Sequence, residues 1–282
     1  MHELDAQIER ALGSPPVRYE ERPGGYSTAD RFAVTLADGR RAFVKSSAEE
    51  HLAGWLRREH EVYAGLSGSF IPELLGWDDD GVRTVLAIED LSDADWTPRW
   101  DAQRVDAVLA ALAELASSAP PPNTDDVRKT FADLWGRWES VAVNPEPFLS
   151  AGLRDRAWLD RSLPVILDAV ARAPVAGTDV CHLDVRSDNL CFREGRVVLV
   201  DWNWTSLANC DTDIGAWLPS LYVEGGPPPW EVLPGRGDFA AWVSGVWAAV
   251  VGLPAPATAP HVRAVQRRQL AVALDWIDRD VL

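Results

Sequence analysis

Asp184, Asn189 and Asp201 fall close together in the chain, and their types and spacing could do chemistry. Leu190 to Arg193 and Arg196 to Val200 are rich in β-formers, and Glu194-Gly195 between them reads as a two-residue hairpin turn. Such a turn pairs Asn189 with about Val200. Asn189 and Asp201 then sit side by side at the open end, roughly 5 Å apart across the ladder. Asp184 lies in the loop leading in. Three oxygen-bearing side chains so placed could hold a hard cation, because Mg²⁺ takes one or two carboxylates or amides together with waters and substrate phosphates. The bland alternative is an ordinary hairpin with solvated turn acids.

The order His182-x-Asp184-x4-Asn189, followed by Asp201 after a hairpin, resembles the catalytic core of the protein-kinase-like fold. More narrowly, it is similar to the aminoglycoside phosphotransferase and related small-molecule kinase family. The resemblance implies that Asp184 accepts the proton of the acceptor hydroxyl. It implies that Asn189 and Asp201 hold Mg²⁺ against the phosphates of ATP or GTP, and that His182 braces the loop. Asp211-Thr-Asp213-Ile-Gly-Ala-Trp217 is similar to the family's Asp-Leu-Ala helix start, with Asp213 expected as a helix N-cap that also braces the loop. The phosphorylatable segment and Ala-Pro-Glu of protein kinases are missing, which points to a small acceptor. Leu183 and Asp188 stand where the family often has Gly, and Asn203 where it often has an acid.

Of 27 Lys plus Arg, only Lys45 and Lys129 are lysines. Lys45 ends the strand-like run Arg41-Ala-Phe-Val-Lys45, where the resembled fold keeps its phosphate-gripping lysine. A compact ammonium there is not copied by a guanidinium fork. The next stretch, from about Ala48 to Leu66, carries Leu52, Trp55, Leu56, Val62, Tyr63 and Leu66 at helical spacing. Glu59 falls in that apolar stripe, and a carboxylate on a buried face is costly unless paired. Glu59 is therefore expected as the partner of Lys45; the alternative is a carboxylate at the stripe's edge reaching water. Upstream, Gly24 and Gly25 would let backbone approach phosphates and Ser27 could donate a hydrogen bond. That segment is neither a full glycine-rich kinase loop nor a Walker A sequence. Val82 to Leu91 reads as a buried strand ending in a polar link. The resemblance makes the backbone around Glu89 to Leu91 the adenine-binding edge.

These residues need elements to position them. The first 92 residues read as a short helix, strands, the Glu59 helix and more strands. After them the pattern turns helical: Asp101 to Ser118, Asp126 to Val141, Arg154 to Ala173 with Pro164 inside, Asp213 to Tyr222, Gly237 to Val251 and His261 to Leu282. The expectation is an α+β, bilobal protein-kinase-like fold. A small antiparallel-sheet lobe with one key helix (1–92) binds nucleotide, and a larger, mostly helical lobe (93–282) carries the catalytic and substrate-binding parts. Of fourteen tryptophans, Trp100, Trp135, Trp138, Trp202, Trp204, Trp217 and Trp230 gather where the substrate cleft is expected. Gly225 to Trp230 reads as a mobile loop over it.

A hydrophobic content of 47% with 25% charged residues is globular, and no apolar run is long enough to span a bilayer. The N-terminal segment lacks a signal-peptide pattern. With three cysteines and no Cys-x-x-Cys, this predicts a reducing cytoplasm. The net charge of −16 is spread over the chain and repels nucleic acid and anionic membrane. It favours a cationic acceptor such as an amino sugar, although solubility also accounts for it. Three readings result. The first is an ATP/Mg²⁺-dependent phosphotransferase acting on the hydroxyl of an amino sugar, an aminoglycoside-like antibiotic or a related metabolite. The second is a non-catalytic nucleotide-binding protein of the same fold. The third is a metal-dependent hydrolase built on His182, Asp184, Asp188 and Asp201. Oligomeric state and the choice of ATP or GTP stay open.

Overall fold

The computed structural model describes residues 4–22, 29–96, 99–131, 137–257 and 259–282. In chain order the first elements are α1 (Asp5–Leu12), β1 (Pro16–Glu21), β2 (Asp30–Leu36), β3 (Arg41–Ser47), α2 (Glu50–Gly65), β4 (Leu74–Asp79) and β5 (Thr84–Ile88). Next come α3 (Ala102–Ala116), α4 (Val127–Thr130), α5 (Arg137–Val143), α6 (Glu146–Ser150) and α7 (Arg156–Arg172). They are followed by β6 (Asp179–Cys181), β7 (Leu190–Arg193), β8 (Arg196–Leu199) and β9 (Ser206–Ala208). The chain closes with α8 (Asp211–Val223), α9 (Pro229–Val232), α10 (Gly237–Ala248) and α11 (Val262–Asp280). Two compact units result, one of residues 1–98, 118–123 and 188–203 and one of the remainder.

The first unit is built on an antiparallel sheet in the order β1-β2-β3-β5-β4. Alternation along each strand sorts the side chains into two faces. Phe32, Val34, Leu36, Val44, Val85 and Ala87 face one way and form a core with Leu4, Ile8 and Leu12 of α1. Gly76 lets α1 come close: a Cβ there would stand 2.2 Å from the Ala11 carbonyl oxygen. Lys45 alternates to the opposite face, the side on which α2 packs. The hairpin of β7 and β8 belongs to this unit too. Its turn is the expected two-residue one, with Glu194 at φ 51° and Gly195 at φ 80°, the double left-handed conformation that suits the strand twist.

The second unit is helical, with β6 and β9 as a short antiparallel pair. α10 is apolar on nearly every side because α5, α7, α8 and α11 all pack on it. Asp101 and Asp155 cap α3 and α7, accepting from the Arg104 and Trp158 N–H at 2.9 and 2.7 Å. α7 runs on through Pro164. Of the single helix expected over 126–141, α4 ends at Thr130 and α5 is described from Arg137, with 132–136 outside the described residues.

Candidate active site

β3 delivers Lys45 and α2 delivers Glu59 to one buried point. Lys45 Nζ lies 2.7 Å from Glu59 Oε1 and 3.0 Å from Oε2, and Glu59 is 1% exposed. The third contact of the ammonium is Asp201 Oδ1 at 3.5 Å. Burial disfavours the Lys45 ammonium, but the Glu59 and Asp201 carboxylates outweigh it and hold the group above its ordinary value. Burial also pushes the Glu59 carboxyl up, and the ammonium beside it pulls it back. Each charge offsets the desolvation of the other, the only way such a pair is tolerated.

The hairpin carries the two oxygen-bearing side chains expected to hold a metal, Asn189 and Asp201. The Val200 N–H donates to the Asn189 carbonyl at 2.9 Å, so Asp201 follows directly on the pair that ends the ladder. Asp201 sits at φ 67°, a left-handed conformation uncommon outside glycine, and Asn203 Nδ2 donates to its Oδ1 at 2.8 Å. Asn203, where an acid might stand, thus contributes a donor that fixes the carboxylate. Both Asn189 and Asp201 line a cavity of about 390 Å³. Lys45 lines the same cavity, with Asp188 beside Asn189. Its apolar walls are Phe43, Ile88, Leu91, Trp96 and Val200.

The link after β5 forms one edge of this cavity. The Glu89 N–H is already donated to the Glu73 carbonyl. The Asp90 carbonyl accepts from Arg193, and the Leu91 carbonyl from Trp96 Nε1 and the Ala94 N–H. This leaves the Glu89 carbonyl and the Leu91 N–H without a partner among the described residues, one acceptor and one donor at the cavity edge. The Glu89 side chain has a separate task, accepting from both Arg193 and Arg196 on either side of the hairpin turn.

Asn189 and Asp201 offer oxygen only, with part of the Asp201 side chain exposed. That donor set suits a hard divalent cation that keeps waters and phosphates in its shell. Among the described residues no three His, Cys, Asp or Glu side chains converge on a metal position.

In the second unit, β6 leads into the loop His182-Leu183-Asp184. Asp213 anchors it from inside: its Oδ2 accepts from the His182 N–H at 2.8 Å and its Oδ1 from the Leu183 N–H at 2.6 Å. Leu183 is held at φ 61°. His182 Nδ1 accepts from the Asp184 N–H at 3.2 Å, so that nitrogen carries no proton. Asp184 remains partly accessible, with the Arg186 guanidinium 3.5 Å from its Oδ1. Asp213 is not the N-cap expected of it. α8 begins two residues earlier, and Asn209 Oδ1 accepts from the Asp211 N–H at its start.

Gly24, Gly25 and Ser27 lie outside the described residues, as does Trp135. Trp138, Trp202 and Trp217 are core, and Trp230 packs against Tyr222 and under the Arg279 guanidinium. Trp204 stacks on Phe131 and stays partly exposed, and Trp100 donates to Glu224. The cavity tryptophan is Trp96, and sequence reasoning missed it. It also missed Arg22 and Arg31, which line the same cavity.

The fold is shared with solved kinases at low sequence identity. A choline/ethanolamine kinase family protein from Mesorhizobium loti is 15% identical with a TM-score of 0.55, over 93% of this chain and 88% of that one. A macrolide 2'-phosphotransferase from Brachybacterium faecium is 13% identical with a TM-score of 0.56, over 96% of each chain. An amicoumacin kinase, solved with AMP-PNP, Ca²⁺ and its antibiotic, is 10% identical with a TM-score of 0.50, over 94% of this chain and 91% of that one. No protein of curated function matches in sequence. The profile of the phosphotransferase enzyme family matches residues 18–246. The chain therefore belongs to that phosphotransferase family, and it is a small-molecule kinase with an alcohol group as phosphate acceptor.

Proposed function

We propose that the protein transfers the γ-phosphate of ATP, or of GTP, to a hydroxyl of an amino sugar, an aminoglycoside-like antibiotic or a related metabolite. The observation that carries this reading is the buried Lys45–Glu59 pair beside Asp201, on a cavity that Asn189 also lines. Lys45 grips the phosphates. The Glu89 carbonyl and Leu91 N–H fit the donor and acceptor on the edge of a purine, between the apolar walls of Phe43, Ile88 and Trp96. Asn189 and Asp201 are the residues that would hold Mg²⁺, which supplies charge neutralisation on the phosphates when bound. The amicoumacin kinase solved with AMP-PNP and Ca²⁺ supports a nucleotide and a divalent cation.

Asp184 accepts the proton of the acceptor hydroxyl as the new O–P bond forms. His182 and Asp213 fix the backbone that carries it. Most of the rate comes from positioning and charge stabilisation rather than covalent chemistry. The experiment is ADP and GDP release with Mg²⁺ against aminoglycosides, amino sugars, choline-like alcohols and nucleosides. Asp184→Ala is expected to cut kcat by roughly 10²- to 10⁴-fold on the accepted class and to leave nucleotide affinity in place. Turnover that survives Asp184→Ala would remove Asp184 from the role of base.

A further inference from the structure

We propose that Arg31 is a second phosphate-binding cation of this site, set directly across the β2–β3 pairing from Lys45 and gripping the polyphosphate chain of the nucleotide. The assignment rests on the nucleotide reading above and adds a residue to it.

Position comes first. In the β2–β3 register Arg31 stands opposite Lys45, and residues opposite one another across a ladder project to the same face. That face carries the cavity, and Arg31 lines it together with Lys45, Asn189 and Asp201. The Arg31 Nη1 donates to the Ala29 carbonyl at 3.1 Å, a local bond that orients the guanidinium.

Charge comes second. The Arg22 N–H donates to the Arg31 carbonyl at 2.9 Å, which continues the same row onto the chain just past β1. Arg22, Arg31 and Lys45 thus follow one another in a cross-strand row that lines the cavity, with Arg22 paired to Glu20 at 3.1 Å and Lys45 to Glu59. Like charges on neighbouring strands destabilise a sheet. Glu59 and Asp201 are engaged with Lys45. The Arg22 Nε–H is buried without a partner among the described residues. A nucleoside triphosphate brings several anionic oxygens to this face, where Arg31 stands beside Lys45. Guanidinium and ammonium also divide the work: the fork of Arg31 matches two phosphate oxygens, while Lys45 acts as a point charge.

The test is calorimetric titration, in Mg²⁺, of the unaltered protein, Arg31→Ala and Arg31→Lys with adenosine, ADP and a non-hydrolysable ATP analogue. Arg31→Ala is expected to weaken the ATP analogue by roughly ten- to a hundredfold, the effect of losing a charged hydrogen bond, and to leave adenosine unchanged. Arg31→Lys is expected to restore part of the loss, and thermal unfolding of each variant reports that the fold is kept. If the ATP analogue binds Arg31→Ala as tightly as the unaltered protein, Arg31 is not a phosphate ligand while the nucleotide reading stands. If adenosine weakens as much as the ATP analogue, the side chain supports the pocket rather than the phosphates, and the assignment is overturned. If the unaltered protein binds no nucleotide, the nucleotide reading itself falls and takes the assignment with it.

Discussion

Asp213 holds the loop before Asp184 by both carboxylate oxygens, and it does so from a position only 2% exposed. Burial pushes its carboxyl up to about 6, and the two backbone N–H bonds hold it back from rising further. A folded value above the unfolded one means that the native state binds the proton more tightly. The corresponding stability is full below about pH 4 and is lost as pH rises to about 6, in total about 3 kcal/mol at about 1.4 kcal/mol per pH unit. Asp213→Asn removes this titration. Urea unfolding of both proteins from about pH 4 to about pH 7 is expected to show the unaltered protein losing ground to the variant up to about pH 6 and then running parallel. Parallel behaviour over the whole range would mean that Asp213 stays ionised throughout. The cost is tolerated for a reason visible in its neighbour: Leu183 is held left-handed, a conformation that costs a non-glycine residue about 1 kcal/mol or more and persists only when the surroundings impose it. The sequence made Asp213 legible as a bracing residue, but not its mode of action. Helix-start signals leave the first residue uncertain, and a shift of two positions turns a cap into an inward-pointing anchor.

The β7–β8 hairpin was readable in detail because Glu194-Gly195 leaves no other two-residue turn, and the ladder follows from the turn. The β2–β3 hairpin was not, because the Asp38-Gly39 dipeptide between its strands is of the kind that favours a two-residue turn. A two-residue turn at Asp38-Gly39 would set Arg31 opposite Ser46. The loop instead takes three residues, Ala37 to Gly39, with Gly39 at φ 87° and the Leu36 N–H on the Arg40 carbonyl. Arg31 then stands opposite Lys45, and one residue of slip is enough to move a side chain between faces. The tryptophans escaped for a related reason: aromatic residues fill a core as readily as a pocket, and only packing separates Trp138 and Trp217 from Trp96. The β7–β8 hairpin is also tied to the chain that follows β5. Glu89 accepts from Arg193 and Arg196, the Asp90 carbonyl accepts from Arg193 at 2.7 Å, and Asp95 and Phe192 exchange two backbone bonds at 2.9 and 3.0 Å. Glu89→Ala strands two partly buried guanidinium groups and is expected to cost about 1–3 kcal/mol. Hydrogen exchange localises the effect: amides of 190–200 are expected to exchange faster in the variant, with those of α10 and α11 unchanged. Equal protection of the hairpin in both proteins would show that the backbone pairing alone holds it.

At the scale of the molecule the balance of charge is acidic. The chain carries a net −16, yet Arg22, Arg31 and Lys45 share one cavity. Among the described residues no helix is long and apolar enough to cross a membrane, and the exposed acids form a diffuse negative surface instead. Such a field draws cations in and slows anions, over distances set by the Debye length of about 10 Å at about 0.1 M salt. On the proposed function the nucleotide meets Arg22, Arg31 and Lys45 within a repelling surface, whereas a cationic acceptor is attracted from a distance. The two substrates should respond to salt in opposite directions. With an amine-bearing acceptor, kcat/KM for the acceptor is expected to fall about tenfold from about 0.05 to about 0.5 M salt while kcat holds, because screening removes the steering and leaves the chemistry alone. With a neutral alcohol from the same panel the curve should be flat. An amine-bearing acceptor whose kcat/KM is also indifferent to salt would mean that the acidic surface plays no part in acceptor choice. Its negative charge would then act only between whole molecules, keeping them apart in solution.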